Sequence, residues 1–183
     1  LGSDTFSVNE LDFDVAYDPA ADELQVNSAS LVSPRLSATV SGLIENAISS
    51  GVPTEFDLVS NDVSLDLMPY FPTAWSFSDI ALDGSFNADY SRLTLDSFSF
   101  TTSGTKFSGE LNARRPDEGA VPGKFPAFLD VTAEIDGELT VQQVLDFWPE
   151  TLGAGARRFA VRNISQGRAT AADVRLNLKP DSF

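Results

Sequence analysis

One strand-rich pattern runs twice through this chain and begins a third time, which confines it to stacked β units more than any other feature does. Phe13-Asp14-Val15-Ala16-Tyr17 is echoed by Phe86-Asn87-Ala88-Asp89-Tyr90 and, loosely, by Val174-Arg175-Leu176-Asn177-Leu178. In each, apolar side chains alternate with polar or small ones, the period of a half-buried strand. Leu24-Gln25-Val26-Asn27-Ser28-Ala29-Ser30-Leu31 aligns with Leu93-Thr94-Leu95-Asp96-Ser97-Phe98-Ser99-Phe100, and both break the alternation at the same point. A β-bulge or tight bend at Asn27-Ser28 and at Asp96-Ser97 produces that slip and re-aims the side chains that follow. The turns Ser33-Pro34-Arg35 and Ser103-Gly104-Thr105 lead into Leu36-x-Ala38-x-Val40 and Phe107-x-Gly109-x-Leu111, so each copy contains a hairpin. A third shared piece runs from Phe56 to Pro72 and from Leu129 to Pro149, ending both times on an aromatic pair and a proline. Chance resemblance between alternating strands is the competing explanation.

Turn signals divide the chain into strands expected at 11–17, 24–33, 36–43, 56–67, 79–90, 93–102, 106–113, 127–136 and 168–178. Val141, Val144, Leu145 and Trp148 follow helical spacing up to Pro149, and Leu152, Ala156, Phe159, Ala160 and Ile164 do so up to Gly167. The corresponding place in the first copy, 69–78, is too short for two helices and reads as a loop carrying Tyr70, Phe71 and Trp75. The stretch 114–124 holds two prolines and two glycines and reads as an exposed loop. The expected fold is mainly β: tandem antiparallel units forming a strongly curved sheet or groove, with one or two short helices near 141–165. The units are 1–80, 81–165 with its terminal helices, and the start of a third at 166–183.

What is absent narrows the chemistry. The 183 residues include no cysteine and no histidine, which removes thiolate nucleophiles, zinc-thiolate sites, disulfides and the commonest general base. No catalytic or metal-binding constellation stands out, no cofactor is implied, and the chain reads as non-enzymatic. A net charge of −15 argues against a nucleic-acid partner, which requires a basic face. A hydrophobic content of 42% suffices for a core. No apolar run is long enough to span a bilayer and no leader is evident. The chain starts at Leu1 and stops soon after a new strand pattern begins, so it reads as a piece of something longer.

Several features admit two readings. Arg157, Arg158, Arg162, Arg168, Arg175 and Lys179 make the C-terminal region locally basic. They form either a patch for lipid phosphates or an acidic partner, or ion pairs with neighbouring acidic strands, which is the preferred reading. Asp130, Glu134, Asp136 and Glu138 suggest a carboxylate pair or calcium site, but a solvated strand face explains them better. Tyr70, Trp75, Phe147 and Trp148 suit a sugar-stacking platform or, preferably, core plugs. Asn163-Ile164-Ser165 matches a glycosylation acceptor but falls in an expected helix.

The run Leu139-Thr140-Val141-Gln142-Gln143-Val144-Leu145-Asp146-Phe147-Trp148-Pro149-Glu150-Thr151-Leu152, followed by Ala156-Arg157-Arg158-Phe159, Asn163-Ile164 and Gly167-Arg168, resembles the AsmA-like superfamily. More narrowly, it is similar to the central region of YhdP-like envelope proteins. Trp148, Pro149, Ala156, Arg157, Phe159, Asn163 and Gly167 carry the motif as structural residues; Phe159-Ala160-Val161 departs from it where the family often has a second tryptophan. The resemblance implies a periplasmic segment of a protein anchored in the inner membrane by a helix outside this sequence. It implies a β groove that takes part in phospholipid transport and outer-membrane biogenesis in Gram-negative bacteria. The implied partners are phospholipid acyl chains and the rest of the same longer chain. Candidate lining residues are Phe13, Val15, Tyr17, Leu24, Val26, Phe86, Ala88, Tyr90, Leu93 and Leu95, which an ordinary sandwich core would explain equally well. The alternative function is a secreted or surface β-sandwich module that binds carbohydrate or protein.

Overall fold

The computed structural model describes residues 7–66, 68, 73–116, 127–148, 153–164 and 166–180. Ten strands form one antiparallel sheet: β1 (Glu10–Asp18), β2 (Glu23–Val32), β3 (Leu36–Glu45), β4 (Thr54–Ser60), β5 (Val63–Leu65), β6 (Trp75–Phe86), β7 (Arg92–Thr102), β8 (Thr105–Arg114), β9 (Phe128–Thr140) and β10 (Arg168–Leu178). Neighbours follow the order β1-β2-β3-β4-β6-β7-β8-β9-β10, and β5 pairs with β3 and β6 beside β4. Helices α1 (Val141–Asp146) and α2 (Ala154–Asn163) lie between β9 and β10. The mainly β, antiparallel fold with two short helices near 141–165 is thus as expected.

The expected slips in alternation are real register shifts. Between Val26 and Ala29, β2 carries one residue more than β1 and β3 do, and β7 does the same between Leu95 and Phe98. A bulged strand bends, and its partner must tolerate the bend. Gly42 pairs with Val26 on one side of the first bulge and Gly109 pairs with Phe98 on one side of the second. A Cβ on Gly42 would lie 2.0 Å from the Asp57 carbonyl oxygen, and one on Gly109 would lie 2.0 Å from that of Thr132. The next strand therefore approaches too closely for any side chain.

Other irregularities free backbone groups, and hydroxyls bind them. The expected strand 56–67 is interrupted at 61–62, where the Ser60 hydroxyl donates to the Thr39 carbonyl at 2.6 Å. Beside the register shift near the end of β9, the hydroxyl of fully buried Thr105 donates to the Glu138 carbonyl at 3.0 Å. Each contact satisfies a carbonyl at a break in regular pairing.

Three expectations are corrected. Trp75 opens β6 and does not sit in a loop; Tyr70 and Phe71 lie outside the described residues. The strand expected at 79–90 begins at Trp75 and stops at Phe86, because a turn takes over. There the Asn87 side chain accepts from the Arg92 N–H at 2.8 Å, and Tyr90 adopts φ 55°. The echo of Phe13–Tyr17 is accordingly Leu82–Phe86, since Tyr17 pairs with Leu24 as Phe86 does with Leu93. Arg114 ends β8, whereas 117–124 of the expected loop lies outside the described residues.

Helix α1 starts with a capping box: Thr140 Oγ1 accepts from the Gln143 N–H, and Gln143 Oε1 accepts from the Thr140 N–H at 2.8 Å. Gly109→Ala should lower the free energy of unfolding by about 1–3 kcal/mol through the crowding at Thr132. Gly155→Ala, which meets nothing within 4 Å, should be neutral or stabilising by up to about 1 kcal/mol. Urea denaturation of the two variants checks the contrast.

Candidate functional site

The register places the apolar side chains on one face. Reading across the strands, Leu24 (β2), Ile44 (β3), Phe56 (β4), Gly84 (β6), Leu95 (β7), Leu111 (β8), Val131 (β9) and Leu176 (β10) form one row. Val26, Gly42, Leu58, Leu82, Phe98, Gly109, Ala133 and Val174 form the next. Both rows lie on the same side, which is why the bulges matter.

Cover over that face is uneven. In the second half Leu95, Phe98 and Ala133 are buried, with Phe56, Leu82, Leu93, Phe100, Leu111 and Val131 packed against them. A second cluster of Phe107, Ile135 and Leu139 takes in Phe100, Phe147 and Ala172. The Phe100 and Phe107 rings stack at 5.0 Å, and Phe147, just after α1, reaches both Phe107 and Trp75 at 5.4 Å. So α1 caps one end of the second half. In the first half β1 is exposed along its whole length, with Leu11 at 62% and Phe13 at 64%.

The proposed lining residues divide accordingly. Phe13, Val15 and Tyr17 are exposed on β1, Leu24 is half-buried, and Val26 is buried; Val15 pairs with Val26 and Tyr17 with Leu24. Phe86 and Leu93 are half-buried partners, and Leu95 is core. Ala88 and Tyr90 are exposed in the β6–β7 turn; the Tyr90 ring lies 5.9 Å from that of Phe86, and its hydroxyl meets that of Thr54 at 3.3 Å. The sequence reading missed Ile44, Phe56, Leu58, Leu82, Phe98 and Phe100, all on the same face. Carrying the shifted parity past each bulge would have found Phe98 and Phe100.

Of the motif residues, Trp148 is half-buried beyond α1, and Pro149 lies outside the described residues. Ala156, Arg157, Phe159 and Asn163 are on α2, and Gly167 precedes β10. Arg157 donates to the carbonyls of Trp148 (3.3 Å) and Leu145 (3.5 Å), joining α2 to the end of α1. Trp75 packs edge-on against Phe77 and tilts against Phe147, so these aromatics serve as packing groups.

The opposite face is acidic. Glu45 pairs directly with Glu55 and Asp57 with Asp83, placing like charges side by side. With Asp96 these four rim a hollow of about 300 Å³. The β9 carboxylates are also exposed: Asp130 accepts from Asn177, and Glu138 pairs with Arg168 at 2.5 Å. Among the described residues, no three carboxylates are placed to share a metal ion.

Asp22 ties two turns together. It accepts from the Tyr17 hydroxyl at 2.8 Å and from the N–H groups of Ile48 and Ser49 at 3.2 and 3.0 Å. Hydrogen bonding from Ser49, aided by Tyr17 and the backbone groups, holds its carboxyl below the ordinary carboxylate range against desolvation. Desolvation, then the bond to Asp22, pushes the Tyr17 phenol up.

No protein-family model matches the chain, and neither a curated protein nor a solved structure matches it.

Two predictions follow from these charges. A carboxyl with a depressed pKa stabilises the fold above its unfolded pKa, and that contribution disappears as pH falls through the folded value. Asp22→Asn should therefore lower the thermal midpoint at pH 7, and its gap from wild type should close below about pH 4. On the acidic face, Asp83→Ser should raise the midpoint in low salt, with the gain shrinking as sodium chloride screens the Asp57 contact. Calorimetry across pH and salt tests both.

Proposed function

We propose that this chain is a non-enzymatic length of lipid-carrying β wall. Phospholipid acyl chains lie against its apolar face while head groups stay in water. In this reading it is a periplasmic segment of an AsmA-like envelope protein, anchored in the inner membrane by a part of the longer chain outside this sequence, and it takes part in phospholipid transport to the outer membrane. One observation carries the reading. Apolar side chains run across the strands on a single face, and among the described residues no second sheet covers them. Each methylene withdrawn from water against such a face contributes ~0.8 kcal/mol, so an acyl chain supplies ample binding energy without a specific pocket. The inward packing of Trp75 and Phe147 favours this over a sugar-binding module.

Native mass spectrometry of the protein purified from a bacterial host is expected to show bound phospholipid. The double variant Ile44→Gln/Leu58→Gln alters two half-buried side chains of the apolar face and leaves the buried core intact. It should reduce lipid occupancy at least tenfold with an unchanged circular dichroism spectrum. Absence of lipid from the wild type, or undiminished occupancy in the folded variant, would refute the assignment.

A further inference from the structure

We propose that α2 is a docking element for an anionic lipid surface, an inference that does not depend on acyl chains occupying the sheet. Residues 151–172 contain four arginines and no acid, in a chain whose net charge is −15. Among the described residues, Arg157 turns toward the α1 carbonyls and Arg168 pairs with Glu138. Arg158 and Arg162, one helical turn apart, are exposed. Phe159 beside them is 63% exposed, and Val161 and Ile164 are 54% and 43% exposed.

No residue of α2 is buried. A helix that leaves Phe159 and Val161 in water, with Ile164 exposed just past its end, gains little from the fold that carries it. Phe159, next to Arg158 and three positions before Arg162, would gain on entering the boundary between head groups and acyl chains. The guanidinium groups of Arg158 and Arg162 beside that aromatic wedge suit lipid phosphates at that depth. Charge complementarity selects an anionic surface over a neutral one or an acidic protein, because only a bilayer offers both phosphates and an apolar layer beneath them. The acids of the sheet oppose approach only within a Debye length, about 8 Å at physiological salt.

Vesicle co-sedimentation tests this, with pure phosphatidylcholine set against an equimolar mixture of phosphatidylcholine and phosphatidylglycerol. The protein should sediment with the mixed vesicles only. Arg158→Gln/Arg162→Gln should weaken that binding roughly thirtyfold. Phe159→Ser should weaken it about tenfold. Ile44→Gln/Leu58→Gln should bind vesicles as wild type does, which separates docking from acyl-chain binding. Equal binding to both vesicles, no binding, or indifference to the α2 substitutions would overturn the proposal. A concentration-dependent dimer in sedimentation velocity, abolished by the same α2 substitutions, would assign the patch to a second copy and overturn it too.

Discussion

The extra residue in β2 and the one in β7 are the constraint on which the rest of the sheet depends. Side chains in a strand alternate with a period of two, so an uncorrected slip would carry every downstream apolar group to the wrong face. In β2 the sequence changes parity after Val26, and the backbone adds a residue at the same place. Sequence and register shift together, and Ala29 and Leu31 stay on the side of Leu24 and Val26. The glycines opposite, Gly42 and Gly109, allow the bent neighbour to approach. Losing either element of the pair would set the pleat against the hydrophobic pattern.

The two faces segregate by chemistry, and the two halves differ in how far the apolar face is closed. Phenylalanines at 98, 100 and 107 fill the second half with stacked rings, and Phe147 brings α1 down over one end. The first half has Ala29, Leu31 and Ala38 in the corresponding register, smaller groups that leave the strands uncovered. Repetition of backbone pattern therefore coexists with divergence in side-chain volume. The polar face adds cross-strand repulsion between Glu45 and Glu55 and between Asp57 and Asp83, a cost to stability that keeps this side solvated.

Much of this architecture was legible in the sequence, because alternation and turn chemistry are local. The bulges at Asn27-Ser28 and Asp96-Ser97, the hairpin turns and both helices follow from patterns a few residues long. The end of β6 did not, since Phe86-Asn87-Ala88-Asp89-Tyr90 alternates as a strand would. It is the Asn87 side chain, bonded to Arg92 and Ser91, that turns the chain. The break between Ser60 and Val63 was hidden for a similar reason: it depends on a carbonyl of β3 that no local pattern reveals. On the apolar face, Val26 and Leu95 proved to be core while Phe13 stayed exposed. Position within the sheet decides that difference, and alternation alone carries no information about it.

All neighbouring strands are antiparallel, so hydrogen bonds run across the sheet while the chain runs back and forth at right angles to them. Breadth and reach are consequently under separate control. Lengthening a strand widens the ribbon, whereas inserting another hairpin extends it by two strand spacings without changing its cross-section. An architecture of this kind can grow by duplication, each added pair leaving the geometry of its predecessors untouched.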